Sequence, residues 1–141
     1  MGINVEGVVT LLQVYDMRRS LRFYRDGLGF SVANTSEPGD DCNWAMLRQG
    51  DATIMLNTAY DPGTRPPAPD TDRTKAHGDT MLYFGCRELD ACYEYLTSLG
   101  VRAEPPRTTY YGMRQVITED PDGYGLCFQW PVSSRTQSEH F

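Results

Sequence analysis

The chain has 141 residues, 40% of them apolar and 23% charged, and carries a net charge of −6. It is one domain's worth of soluble polypeptide, long enough to bury a compact core. No apolar run reaches the length of a membrane span, and an acidic surface repels the phosphates of nucleic acid, whereas it is compatible with cationic small molecules.

The opening MGINVEGVVTLLQV lacks the basic region and cleavage site of a secretory leader, so a cytoplasmic location is expected. VVTLLQV reads as a β-strand. Asp16 is a candidate N-cap, and Met17, Leu21, Tyr24 and Leu28 recur at helical spacing up to Gly29, which suits the left-handed position after a helix. Further strands follow, with a hairpin at Gln49-Gly50-Asp51. The stretch DPGTRPPAPDTDRTKAHGD, with four prolines in eight residues, reads as a linker or lid that extends neither a helix nor a central strand. TMLYFGC is then a strand, and Leu89, Cys92, Tyr93, Leu96 and Leu99 mark a helix ending at Gly100. A second hairpin is predicted through Asp120-Pro121-Asp122-Gly123, and a polar tail follows Pro131. The four cysteines, Cys42, Cys86, Cys92 and Cys127, form no CxxC pair and read as small buried thiols rather than disulfides or zinc ligands.

The two halves repeat. LQVYDMRRSLRFY (12–24) lies over FGCRELDACYEYL (84–96), and GDATIMLN (50–57) over DGYGLCFQ (122–129), both at an offset of 72. Each half is strand, helix, then three strands. The expected fold is therefore α+β, two βαβββ modules forming a cup-shaped, partly open sheet with helices on its outer face. The expected boundaries are 1–60 for the first module, 61–79 for the linker, 80–131 for the second module and 132–141 for a flexible tail.

Alternation along each strand sorts one face from the other. Val8, Thr10, Leu12, Val14, Ile54, Leu56, Leu82, Phe84, Cys86, Leu126, Phe128 and Trp130 form an apolar set expected beneath the helices. The opposite set is mixed: Val9, Leu11, Gln13, Thr53, Met55, Asn57, Asp79, Met81, Tyr83, Cys127 and Gln129, joined by Trp44, Met46 and Arg48 if the Gly50 loop has two residues. A mixed face of this kind suits a ligand-sized hollow. Trp44, Tyr83, Tyr110 and Tyr111 are placed at its border, where aromatic rings stack on planar or cationic groups.

LQVYDMRRSLRFYRDGLGF, LYFGCRELDACYEYLTSLGV and the closing EDPDGYGLCFQW, in this order and spacing, resemble the vicinal oxygen chelate superfamily over residues 7–131. That superfamily includes glyoxalase I, bleomycin resistance proteins, extradiol dioxygenases and methylmalonyl-CoA epimerases. The resemblance implies a homodimer and, in metal-dependent members, one ligand from each of four strands. The matching positions here are Val9, Met55, Met81 and Cys127, which offer no imidazole or carboxylate, so no cofactor is expected. A soft Cu(I) site at Met55, Met81 and Cys127 is one alternative, and an apolar wall the other. By resemblance to the bleomycin resistance branch, the expected function is binding or sequestration of a small cationic or aromatic molecule. The expected contacts are Trp44, Met55, Asn57, Met81, Tyr83, Tyr111, Arg114, Cys127 and Gln129. Two other readings stay open: a lyase, isomerase or dioxygenase with a displaced metal or acid–base site at His77 and Asp79, and a degenerate module that binds a partner protein.

Overall fold

The structure, a computed structural model, describes residues 2–61 and 63–132, and the chain divides into two compact units with the boundary between Pro69 and Asp70. The tail from Ser133 onward, His140 included, lies outside the described residues.

The first unit contains β1 (Thr10–Val14), β2 (Ser31–Thr35), β3 (Trp44–Gln49) and β4 (Ala52–Thr58), ordered β1-β4-β3-β2, with β1 parallel to β4 and the other pairs antiparallel. Between β1 and β2 runs helix α1 (Met17–Leu21), continued by a π-helical segment, Arg22–Gly27. The second unit contains β5 (Met81–Gly85), β6 (Arg107–Thr108), β7 (Met113–Glu119) and β8 (Gly125–Pro131), ordered β5-β8-β7-β6 with the same directions. Its helices are α2 (Thr71–His77) and α3 (Leu89–Ser98). Leu11 aligns with Met55, and Tyr83 with Cys127. The two units thus share one register at the offset read from sequence, and the expected pair of βαβββ modules is borne out.

Local chemistry explains the elements. Asp16 caps α1 by accepting from the Arg18 N–H at 3.1 Å, which satisfies one of the donors a helix start leaves unpaired. The π-turn, closed by Leu28 N–H to the Phe23 carbonyl at 2.9 Å, lets Tyr24 point fully inward. There its ring meets Phe23 and Phe30 edge-on, at 5.0 and 6.0 Å. Gly29, at φ 88°, then reverses the chain into β2.

Met17, Leu21 and Tyr24 are buried, as are Leu12, Val14, Ala45, Leu47, Ile54 and Leu56 on the helix-covered face of the first sheet. Burial of such side chains contributes about 1.5–3 kcal/mol each. In the second unit Leu82, Val116 and Leu126 are buried together with Leu89 and Leu96 of α3. Several members of the predicted core are corrected. Val8 precedes β1 and is exposed, as is Thr10 at the strand's first position; Phe84, Phe128 and Trp130 are half-buried, and so is Cys86, which lies past the end of β5.

The proline-rich segment also departs from expectation, because its second part is helical. From Asp70 to Asp79 the segment has no proline, and Asp70 accepts from the N–H groups of Asp72 at 2.9 Å and Arg73 at 3.2 Å, starting α2. This helix is seated on the β7–β8 hairpin. Gly123, at φ 90°, passes so close to the Thr74 carbonyl that a side chain there would collide with it.

Candidate functional site

Residues directly opposite in neighbouring strands point to the same side of a sheet. In the first sheet Gln13, Asn57 and Trp44 form one such row, Leu11, Met55 and Met46 the next, and Thr53 with Arg48 a third. All lie on the face away from α1. The Gly50–Asp51 loop has the two residues this alignment requires, since Gln49 pairs with Ala52. The polar members are organised: Asn57 Nδ2 donates to Gln13 Oε1 and to the Thr58 carbonyl, both at 3.2 Å. Arg48 Nη2 lies 3.8 Å from Met46 Sδ, so the guanidinium runs along this face.

The corresponding face of the second sheet carries Met81, Gly125 and Glu119 in one row, then Tyr83, Cys127 and Ile117, then Gly85, Gln129, Gln115 and Arg107. Gln115 is buried, and its Nε2 donates to Gln129 Oε1 at 2.9 Å and to the Tyr111 hydroxyl at 3.3 Å. Tyr111 thereby joins this face, in edge contact with Tyr110 at 5.1 Å. Met81 lays its thioether over Gly125, where a Cβ would meet Sδ at 2.8 Å. A hollow of about 430 Å³ opens beside it, lined by Met81, Ile117, Glu119, Gly125, Arg102 and Glu104 among others. That volume is within the range of small-molecule sites. A smaller hollow of about 280 Å³ in the first unit is bordered by Tyr15, Asp16, Asp41, Tyr60 and Arg65. Its groups already satisfy one another: Arg65 pairs with Asp16 at 3.3 Å and stacks over Tyr15, whose hydroxyl donates to the Pro66 carbonyl at 2.6 Å.

The structure thus gathers Trp44, Met55 and Asn57 on one face, and Met81, Tyr83, Tyr111, Cys127 and Gln129 on the other. Arg114 is a correction. It pairs with Trp130 across β7 and β8, on the side covered by α3, and its Nη2 donates to Asp90 Oδ1 at 2.7 Å. Gln115, one residue on, occupies the face assigned to Arg114. Sequence reasoning misses it, although Gln129 is assigned to that face and its partner across the hairpin follows from register.

Cys127 is 1% exposed, and burial pushes its thiol up to about 11, with Arg107 pulling weakly the other way. This is the opposite of what a nucleophile or a metal-bound thiolate requires. His77 and Asp79, the alternative acid–base pair, stand at the end of α2 and just beyond it. His77 ends α2, its ring stacks on Tyr124 at 4.0 Å, and its Nδ1 lies 2.7 Å from the Asp122 carbonyl, while Asp79 is exposed.

The positions that the sequence resemblance matches to metal ligands are thus a valine just before β1, two methionines and a buried thiol. This donor set does not fit a hard or borderline divalent cation. Among the described residues no three of His, Cys, Asp or Glu cluster to hold a metal ion. No described helix is long and apolar enough to cross a membrane.

Comparisons with known proteins agree with this architecture. The chain is similar in structure to TnmS3, an antibiotic binding protein from Streptomyces sp. CB03234, at 23% identity and TM-score 0.67, covering 92% of this chain and 99% of that one. It is similar to a bleomycin resistance determinant encoded on the transposon Tn5 at 20% identity and TM-score 0.65, over 92% and 100% of the two chains. A virulence protein, STM3117, from Salmonella typhimurium matches at 24% identity and TM-score 0.65, over 93% and 100%. No curated protein matches the sequence. The family model for the Glyoxalase/Bleomycin resistance protein/Dioxygenase superfamily matches residues 8–128, and the chain belongs to that superfamily.

Proposed function

We propose that this protein binds and sequesters small planar organic molecules on the helix-free face of each of its sheets, without a catalytic metal. The observation that carries this reading is the pattern of those faces. An amide pair, Gln13 with Asn57 in one unit and Gln115 with Gln129 in the other, is set among Leu11, Met46, Met55, Met81 and Ile117. Apolar walls with a few fixed polar groups are the usual make-up of a ligand site. Both NH₂ groups donate within the wall, so the oxygens of Asn57 and Gln115, which take no part in these pairs, are suited to a ligand bearing N–H or O–H donors. Trp44, Tyr83 and Tyr111 supply the stacking surfaces.

The net charge of −6 acts at long range and favours cationic ligands. At close range Arg48 and Arg107 stand on the same faces, so a neutral aromatic ligand suits them better than a polycation. The description of TnmS3 as an antibiotic binding protein fits this reading. A homodimer in the cytoplasm is part of it. Leu11, Met81 and Tyr83 are apolar yet exposed, on strands that each end their sheet's order, which is the usual condition of surfaces covered by a second copy.

Thermal shift against neutral and cationic aromatic antibiotics tests the proposal. A ligand at a hundred times its Kd stabilises by about 2.7 kcal/mol, or roughly 5–10 °C at this length. The rise should be lost in Trp44→Ala for a ligand held on the first sheet and in Gln115→Leu for one held on the second. A flat response across the panel, or one unchanged by both substitutions, rejects it.

A further inference from the structure

Three side chains of the second unit form a hydrogen-bonded run with a fixed direction. Gln115 Nε2 gives one hydrogen to Gln129 Oε1 at 2.9 Å and the other to the Tyr111 hydroxyl oxygen at 3.3 Å. A side-chain amide has two hydrogens, so Gln115 has donated both and has only its oxygen left to offer. Tyr111, whose oxygen is the acceptor, still has its O–H to donate. No described residue bonds to either of these remaining groups. Gln115 is only 4% exposed, and a buried amide oxygen without a donor carries a desolvation cost that a bound N–H would relieve. Tyr111 is 55% exposed, which leaves that end of the run open to an incoming molecule.

The backbone holds the run in place. Gln115 and Gln129 are directly opposite across β7 and β8. The turn that carries Tyr111 is tied by Thr109 N–H to the Met113 carbonyl at 2.7 Å, Gly112 N–H to the Thr109 carbonyl at 3.1 Å, and Met113 N–H to Thr109 Oγ1 at 3.0 Å. Beyond Gln129 the same row ends at Gly85, which has no side chain to fill the space above it. On the other side Arg107 stands opposite Gln115, exposed and without an ion pair among the described residues.

We infer that the second sheet recognises a planar ring by its lactam edge, with the ring N–H donating to Gln115 Oε1 and the adjacent ring carbonyl accepting from the Tyr111 hydroxyl. This rests on the proposed function and names the class of ligand for one of its two faces. A lactam holds its N–H and C=O side by side in the plane of the ring, which matches an acceptor and a donor on neighbouring side chains. An open-chain amide offers the same groups but loses rotational freedom on binding, and the ring does not. Arg107 in the same row disfavours a cation and suits a molecule rich in carbonyl oxygen. The Gln129–Gln115–Tyr111 run is also polarised toward this use, since an engaged hydroxyl oxygen makes its own O–H a stronger donor.

The test is a titration of the nitrogen-15-labelled full-length protein with 2-quinolone and with coumarin, followed by NMR at the backbone amides and at the side-chain NH₂ of Gln115. The two compounds share plane, size and carbonyl, but coumarin has a ring oxygen where the lactam has its N–H. The expected result is about tenfold or more tighter binding of 2-quinolone, with shifts on β7, β8 and the Gln115 NH₂. Tyr111→Phe keeps the ring and removes the donor, and it should weaken 2-quinolone severalfold. Gln115→Leu should abolish the preference between the two compounds. Equal binding of both compounds on β7 and β8, or a preference that survives both substitutions, overturns the inference and leaves the proposed function standing. So does silence from both compounds while other planar molecules of the thermal-shift panel bind the second sheet. A flat panel as well rejects the proposed function and this inference with it. If Gln115→Leu does not fold, the wild-type preference and Tyr111→Phe decide.

Discussion

Gly123→Ala tests the seating of α2 on the hairpin that closes the second sheet. Two costs meet at this position. The backbone stands at φ 90°, where an L-residue loses roughly 1–2 kcal/mol relative to glycine. The new methyl would also run into the Thr74 carbonyl, which is backbone and can yield only if the helix shifts, adding about 1–3 kcal/mol. Together these reach about 2–5 kcal/mol, a large part of a typical total stability of about 5–15 kcal/mol. Gly39→Ala provides the control, since Gly39 has nearly the same dihedral, φ 93°, but no atom within 4 Å of where the alanine methyl would stand. Urea denaturation followed by circular dichroism should therefore place Gly123→Ala about 1–3 kcal/mol below Gly39→Ala, with a similar m-value. Amide exchange at Thr74, whose N–H bonds the Asp70 carbonyl at 3.0 Å, should accelerate only in Gly123→Ala. Equal costs for the two substitutions, with α2 protection unchanged, would refute the packing argument.

Gly125→Ala should displace the Met81 thioether, a flexible group, at a stability cost of about 1 kcal/mol. Calorimetric titration with any ligand found in the thermal-shift panel should then show severalfold weaker binding, whereas unchanged affinity would remove Met81 from the site. Arg114→Gln should leave that affinity unaltered and lower stability by under about 1 kcal/mol, since its pair with Asp90 is largely exposed; a tenfold loss of binding would restore Arg114 to the ligand face. Cys127 supplies a pH signature. Its folded-state thiol ionises near 11 against an ordinary 9, so its contribution is intact below pH 9 and is lost as pH rises through 11. The loss is on the order of 2–3 kcal/mol, and Cys127→Ala should flatten that part of the stability curve by this amount. Parallel curves for the two proteins would show that the thiol is not held in its neutral form.

The repeat was legible because both units obey the same two periodicities. An apolar stripe at helical spacing and an alternating strand survive divergence that leaves Asp16 opposite Glu88 and Tyr24 opposite Leu96. Face assignment from parity succeeded for β1, β3, β4, β5 and β8, where a loop of known length or the repeat fixed the phase. It failed on β7, because Arg114 was placed by the look of its segment and not by its register with β8. Glu119 pairs with Gly125, and counting back from that pair puts Gln115 opposite Gln129 and turns Arg114 to the helix. The helix in the proline-rich segment was hidden for a different reason. Proline density is a local property that ends at Pro69, and TDRTKAH after it has too few residues to show a convincing apolar stripe. Its stability comes from a cap at Asp70 and from the His77–Tyr124 stack, a contact between residues far apart in sequence.

Net charge was the least informative quantity about the site, and the structure shows why. Four of the aspartates that make the chain acidic are tied to arginines in the first unit. Asp40 and Asp26 flank Arg25, Asp41 forks with Arg18, and Asp16 receives Arg65. The Arg18 and Arg25 pairs hold the loop between β2 and β3 to the helix and hold the carboxyls of Asp26, Asp40 and Asp41 below the usual range, yet they place no charge on the helix-free rows. Those rows carry Arg48 in one unit, and Arg107 with Glu119 in the other. A field of −6 can raise the encounter rate of a cation from a distance, but selection occurs at contact, where desolvated groups decide. At contact the fixed groups are amide oxygens, a phenol and aromatic faces. On the proposed function, a molecule selected there would be recognised by the shape of its plane and the position of its N–H or O–H donors, with its formal charge secondary.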